Sequence, residues 1–132
     1  MSNARSVEAS PEWPRHFPPG CPPTDAHDLA GLVLYLVGSS PPTSEDFESA
    51  AERGAFPDAP DCHRAALSCG LTLDYITKLR DDVPRLRSKM IAQANLQPEH
   101  GKLKQTGKPG HHSMWLRAAA LSSAPALFEV IS

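Results

Sequence analysis

Cysteine and aromatic residues are both scarce in this chain. Of its 132 residues only three are cysteines, Cys21, Cys62 and Cys69, and 6% are aromatic. A sparse, odd-numbered cysteine set is not the dense, even framework of a small disulfide scaffold. It leads us to expect reduced thiols and a cytoplasmic location. No apolar run reaches the roughly 18–20 residues that span a bilayer; the longest, Leu29–Val37, is of core-strand length. No basic-then-apolar pattern of a secretory signal opens the sequence. These absences predict a soluble protein with no membrane partner. No motif names a reaction, and no internal repeat is visible.

Proline, by contrast, is abundant. Fourteen prolines are about twice the usual share, and ten of them precede residue 61. Proline fixes φ and lacks an amide donor, so that half must be rich in loops. Charge is split as well. Residues 1–75 carry eleven acids and four Lys/Arg, net −7, whereas residues 76–132 carry nine Lys/Arg and four acids, net +5. Such a split fits either an anionic partner for the basic part or two parts that neutralise each other.

The segment Trp13-Pro14-Arg15-His16-Phe17-Pro18-Pro19-Gly20-Cys21-Pro22-Pro23 has too many prolines for a helix or central strand, and too many apolar residues for a plain linker. We read residues 1–28 as an extended arm packed on a domain of residues 29–132; a tail captured by a partner is the competing reading. Gly31–Gly38 is apolar on both faces and predicts a central strand. Thr43 or Ser44 caps a helix over Ser44–Arg53, with Phe47, Ala50 and Ala51 inward and Gly54 as its stop. Asp61 begins a second helix, Cys62–Cys69. Asp74 caps a third, ended by Val83-Pro84. Lys89–Leu96, Lys102–Thr106, His111–Leu116 and Leu127–Ile131 read as strands, the first three joined as an antiparallel meander, with a helical turn at Ala118–Leu121. The expected fold is α+β: one domain with a mostly antiparallel sheet of four or five strands, short helices on one face, and the proline-rich arm.

The basic meander carries the candidate contact site. Lys102 and Lys104 are two apart and so share a strand face. His100, His111 and Trp115 lie beside them, a set that suits phosphate or a stacked base. A solvated strand face with Trp115 in the core is the plainer alternative. The pI near 6.3 argues against a dedicated nucleic-acid binder. His111 and His112 are adjacent and point to opposite faces of a strand. Either could act as an acid or base, with Glu129 as a partner. The cysteines do not predict zinc. Cys62 and Cys69 are seven apart, about 10 Å along one helix face, too far for a single ion from a straight helix; Cys21, Cys69 and His112 remain an open combination. Glu48 and Glu52, at i and i+4, repel on one helix and suit docking on the basic part or on a second copy.

Two resemblances follow from these residues. Phe17-Pro18-Pro19-Gly20-Cys21-Pro22-Pro23, Pro41-Pro42-Thr43 with Asp46-Phe47 and Ser49, Gly70-Leu71-Thr72, and His111-His112 with Trp115 together resemble a group of small uncharacterised bacterial proteins. That likeness implies no activity. Phe47-Glu48-Ser49 after a strand, with a late glutamate, is similar to the layout of ADP-ribosyltransferase-type domains, which implies a catalytic position for Glu129. The first strand lacks the Arg or His of that layout, and the Phe-x-Ser reads as helix rather than strand.

The sequence therefore leads to a non-enzymatic binding protein that needs no cofactor and no metal. Its contact site is Lys102, Lys104, His100, His111 and Trp115, and its partner is a protein or an anionic ligand. Nucleic acid is not favoured, and a homo-oligomer is allowed. The alternative is a small transferase or hydrolase of a nucleotide or other phosphorylated ligand, working through His111, His112 or Glu129.

Overall fold

The computed structural model describes residues 12–132. Residues 1–11 of the expected arm lie outside the described residues. The strands are β1 (His27–Asp28), β2 (Gly31–Val37), β3 (Leu67–Cys69), β4 (Met90–Leu96), β5 (Gly101–Gln105), β6 (His112–Leu116) and β7 (Glu129–Val130). The helices are α1 (Ala50–Arg53), α2 (Asp61–Ala65), α3 (Leu73–Asp82) and α4 (Ala118–Leu127). The fold is α+β, but with two antiparallel sheets rather than one. One has the order β1-β5-β6-β3 and the other β2-β4-β7.

The expected meander is corrected here. Only β5 and β6 form a hairpin; β4 pairs with β2 and β7 instead. The reason lies between β4 and β5. Pro98 opens a 3-10 turn over Pro98–His100, where its missing amide costs little. Gly101 then adopts φ +153, and a Cβ there would sit 2.0 Å from the Trp115 carbonyl oxygen. Glycine is what lets β5 lie against β6 at this corner. Opposite it, the chain bends at Gly31, φ +113, as β1 passes into β2. The two sheets touch through one bridge, in which Leu34 and Gly70 exchange backbone hydrogen bonds of 2.8 and 2.9 Å.

β2 follows from its pattern. Val33, Tyr35 and Val37 face the main core with Leu96, Leu103, Met114 and Phe128. Leu34 and Leu36 face a second cluster with Ile76 of α3 and Ile91. Both faces are covered, as the alternation predicts, yet laterally β2 has β4 on one side and only the Gly70 bridge on the other.

Local chemistry shortens the predicted helices. The Ser44–Arg53 helix is two pieces, a 3-10 turn over Ser44–Phe47 and α1. Glu48 between them is extended, and Ser49 restarts the helix by capping. Its Oγ accepts from Glu52 N–H at 3.2 Å, while Glu52 Oε1 accepts from Ser49 N–H at 3.0 Å. Glu48 and Glu52 therefore do not repel along one helix. Gly54 ends α1 with φ +68, as expected. Helix α4 runs on to Leu127, past the expected turn, because its alanine-rich sequence favours helix. That leaves two residues for β7.

The cysteine reading is also corrected. Residues 62–69 are not one helix. α2 ends at Ala65, and Cys69 lies on β3. Cys21 and Cys62 are not reduced thiols but a disulfide with Cα atoms 5.5 Å apart. Their partner choice is tertiary: α2 brings Cys62 against Cys21, 41 positions away, which no spacing in the chain reports.

Candidate functional site

The predicted basic face exists as geometry, and its own chain covers it. The β5–β6 register sets Lys102 opposite Trp115 and Lys104 opposite Ser113. Lys102 Nζ donates to Asp28 Oδ1 at 2.7 Å, and Lys104 Nζ donates to Asp25 Oδ2 at 2.7 Å. These hydrogen bonds hold both carboxyls below the usual carboxylate range. Trp115 is 0% exposed, and its Nε1–H donates to the Cys62 carbonyl at 3.0 Å. Around it pack Cys21, Ala26, Ala65 and Ala66, with Trp13 and Phe17 against the same cluster. Among the described residues, neutralisation between the two parts of the chain thus answers two of the nine basic residues of the second part.

The other candidates lie apart from this face or at its edge. His100 Nδ1 accepts from Gln97 N–H at 2.9 Å within the corner turn. His112 Nδ1 lies 3.1 Å from the Gly110 carbonyl. Glu129 is exposed on β7, in the other sheet, opposite Gln93. Glu99 is exposed in the corner between β4 and β5. Cys69 does stand opposite His112 across β3 and β6. Cys21 is spent in the disulfide, and among the described residues no three His, Cys, Asp or Glu side chains group to hold a metal.

A concave site lies elsewhere, and sequence reasoning missed it. A cleft of about 400 Å³ opens between the two sheets' outer elements. Tyr35 and Leu36 of β2, Leu67 and Ser68 of β3, and Ile76 and Leu79 of α3 contribute to its walls. The Glu45–Arg53 stretch, Phe56, α2 and the Val83–Lys89 turn close around it. Of the predicted site residues only His111 lines it. The cleft's other polar lining comes from separate segments spread between Tyr35 and Lys89, which is why no spacing flagged it.

Its electrostatics divide into spent and unspent groups. Asp46 is spent: Oδ1 accepts from Gly38 N–H at 2.7 Å and Oδ2 from Thr43 N–H at 2.9 Å. Tyr35 donates its hydroxyl to the Asp46 carbonyl at 2.5 Å, and burial raises its pKa. Arg64 donates Nε to the Ala55 carbonyl at 3.0 Å. The side chains of Arg53, Arg85, Lys89, Glu45 and Glu48 make no hydrogen bond or ion pair with another described residue. An apolar wall of Leu36, Leu79, Val83 and Leu86 adjoins them. At the rim Phe56 is 57% exposed and has φ +52, a conformation uncommon for a bulky residue.

His111 is the histidine of the cleft whose ring is held by hydrogen bonds. Its Nδ1 donates to the Thr106 carbonyl at 2.9 Å and lies 3.1 Å from the Thr106 hydroxyl, which in turn lies 2.8 Å from Ser113 Oγ. A proton on Nδ1 leaves Nε2 as the acceptor in the neutral ring. Trp115, Ser113 and His111 share one face by strand alternation, so His111 stands where the covered face meets the cleft.

No protein-family model, curated protein or solved structure matches this chain. Among the described residues no helix is long and apolar enough to cross a membrane.

Proposed function

We propose that this is a small non-enzymatic binding protein whose ligand is an organic anion with an apolar body, seated in the cleft beside β2 and β3. One observation carries the reading. About 400 Å³ of concave space is lined by the cations Arg53, Arg85 and Lys89, whose side chains pair with no other described residue, outnumbering the unpaired carboxylates Glu45 and Glu48, next to a wall of Leu36, Leu79, Val83 and Leu86. Ligand sites typically combine this much apolar lining with a few charged groups that fix orientation. The lysines first expected to make the contact, Lys102 and Lys104, already carry carboxylates. The face they occupy is treated separately below.

The test uses 8-anilinonaphthalene-1-sulfonate, a small aromatic anion whose fluorescence rises on burial. Saturable binding at one site is expected, weakened at least about tenfold by Arg53→Ala with Lys89→Ala, since a charged hydrogen bond is worth roughly 1.5–3 kcal/mol. Near-UV circular dichroism must stay native, because loosened states also bind this dye. Unsaturable binding, or binding unchanged by the double substitution, overturns the reading.

A second reading, a transferase or hydrolase of a nucleotide or other phosphorylated ligand, is favoured by His111 alone. Its Nδ1–H is held by a carbonyl and its ring lines the cleft. In this reading Nε2 acts as the base, and neither Glu129, Lys102 nor Lys104 takes part. Product formation from a panel of nucleotides, abolished by His111→Ala, is its expected signature. No product from any of them removes it.

A further inference from the structure

The arm looks like a ligand. Residues 13–28 supply a carboxylate to each of two lysines, an indole to an arginine and apolar groups to a buried tryptophan. Trp13 lies over Arg117, its ring centre 4.3 Å from the guanidinium carbon, and Arg117 Nε is buried without a hydrogen-bond partner. Asp25 and Asp28 neutralise Lys104 and Lys102. Cys21 fastens the arm to Cys62 of α2.

The arm's own backbone ties it down weakly. Its hydrogen bonds Phe17 N–H to Pro14 O, Cys21 N–H to Pro18 O and Ala26 N–H to Pro23 O are internal turns. Before β1, its backbone link to the body is the Glu12 carbonyl, which accepts from Ala118 N–H at 2.8 Å. Prolines remove the donors that would add more. The two ion pairs are at the surface, where such pairs contribute little and salt screens them. The disulfide is therefore the covalent fastening, alongside the two-residue pairing of β1 with β5.

We propose that the face formed by Lys102, Lys104, Trp115 and Arg117 is a latent docking surface for an acidic peptide bearing aromatic residues, with residues 13–28 as its built-in occupant and the Cys21–Cys62 disulfide as the lock. Unlocking needs a dithiol reductant. It gives two electrons and two protons, the S–S bond breaks, Cys21 and Cys62 become thiols, and the dithiol closes to its own disulfide. A peptide is the occupant of choice because the complement on this face is already a peptide. A nucleic-acid strand would in addition meet a chain of net charge −2.

The experiment uses the full chain and a fluorescein-labelled peptide of residues 12–28 carrying C21S, followed by anisotropy. The oxidised chain is expected to bind none. The reduced chain binds weakly, because the tethered arm competes at an effective concentration on the order of millimolar. D25N/D28N under reductant tightens binding a few-fold by weakening that competitor, and K102E/K104E weakens it by more, because like charges then face the peptide's carboxylates. The disulfide-free C21S/C62S chain reproduces the reduced result without reductant. Equal binding by the oxidised and reduced D25N/D28N chains overturns the proposal, as does binding indifferent to K102E/K104E. Tighter binding of a ten-nucleotide oligothymidylate than of the peptide overturns the choice of partner. Loss of the far-UV sheet signal on reduction shows that the disulfide holds the fold rather than the arm, and also overturns it.

Discussion

Lys104 Nζ lies 2.7 Å from Oδ2 of Asp25, a residue 79 positions earlier in the chain. The pair joins the acidic, proline-rich part to the basic hairpin, and Lys102 with Asp28 repeats it one rung along β5. Two charges that look like an invitation to an anion in the sequence are, in the fold, already answered.

A pH dependence follows. The hydrogen bonds from Lys104 and Lys102 lower the carboxyl pKa values of Asp25 and Asp28 in the folded state. Such groups stabilise the fold above the unfolded carboxyl value, about 3.9, and that contribution is lost as pH falls through the lower folded midpoint. Carboxyl carbon NMR should show Asp25 titrating below the ordinary range, and Lys104→Ala should return it upward. An unshifted Asp25 in the parent chain excludes the pair in solution.

Trp115 should be the most costly single truncation on this face. It is fully buried and its Nε1–H is satisfied by the Cys62 carbonyl. Trp115→Ala is expected to cost about 3–5 kcal/mol by cavity formation. Trp115→Phe should cost less, combining lost volume with a Cys62 carbonyl left unpaired, a defect of about 1–3 kcal/mol. Urea unfolding at constant m-value measures both. A Trp115→Ala cost below about 1 kcal/mol, the level of ordinary surface substitutions, places the indole outside the core.

Thiol counting checks the cysteine assignment. Cys69 is the free cysteine, buried, and burial raises its pKa because the thiolate is disfavoured away from water. Native protein at pH 8 should therefore react slowly, if at all, with a thiol reagent. Denatured without reductant it should show one thiol per chain, and three after reduction. Three rapidly reacting thiols in the native chain contradict both the pairing and the burial.

Strong local signals were legible. The alternation of Val33, Tyr35 and Val37 with leucines marked β2, and the Val83-Pro84 pair marked the end of α3. Gly107-Lys108-Pro109-Gly110 marked the β5–β6 turn. Periodicity and turn chemistry act over a few residues, so the chain displays them directly. The Ser44–Arg53 helix failed because two caps, Thr43 and Ser49, compete within ten residues, and propensity alone does not say which wins. The site was less legible still. Trp115 parity was readable, but its covering by Trp13, Phe17 and Ala26 depends on Cys62 meeting Cys21 across 41 positions.

By itself the sequence determined the kinds of local structure: where proline forbids regular pairing, where both faces of a strand must be covered, and on which strand face the lysines stand. Only the tertiary structure decided which strands share a sheet, that Asp25 and Asp28 answer Lys104 and Lys102, and that a cleft opens beside β2 with His111 at its edge. The physical reason is range. Backbone sterics and side-chain alternation are set by neighbours in the chain, whereas charge pairing, disulfide formation and concavity are set by neighbours in space, which the corners at Gly31 and Gly101 bring together.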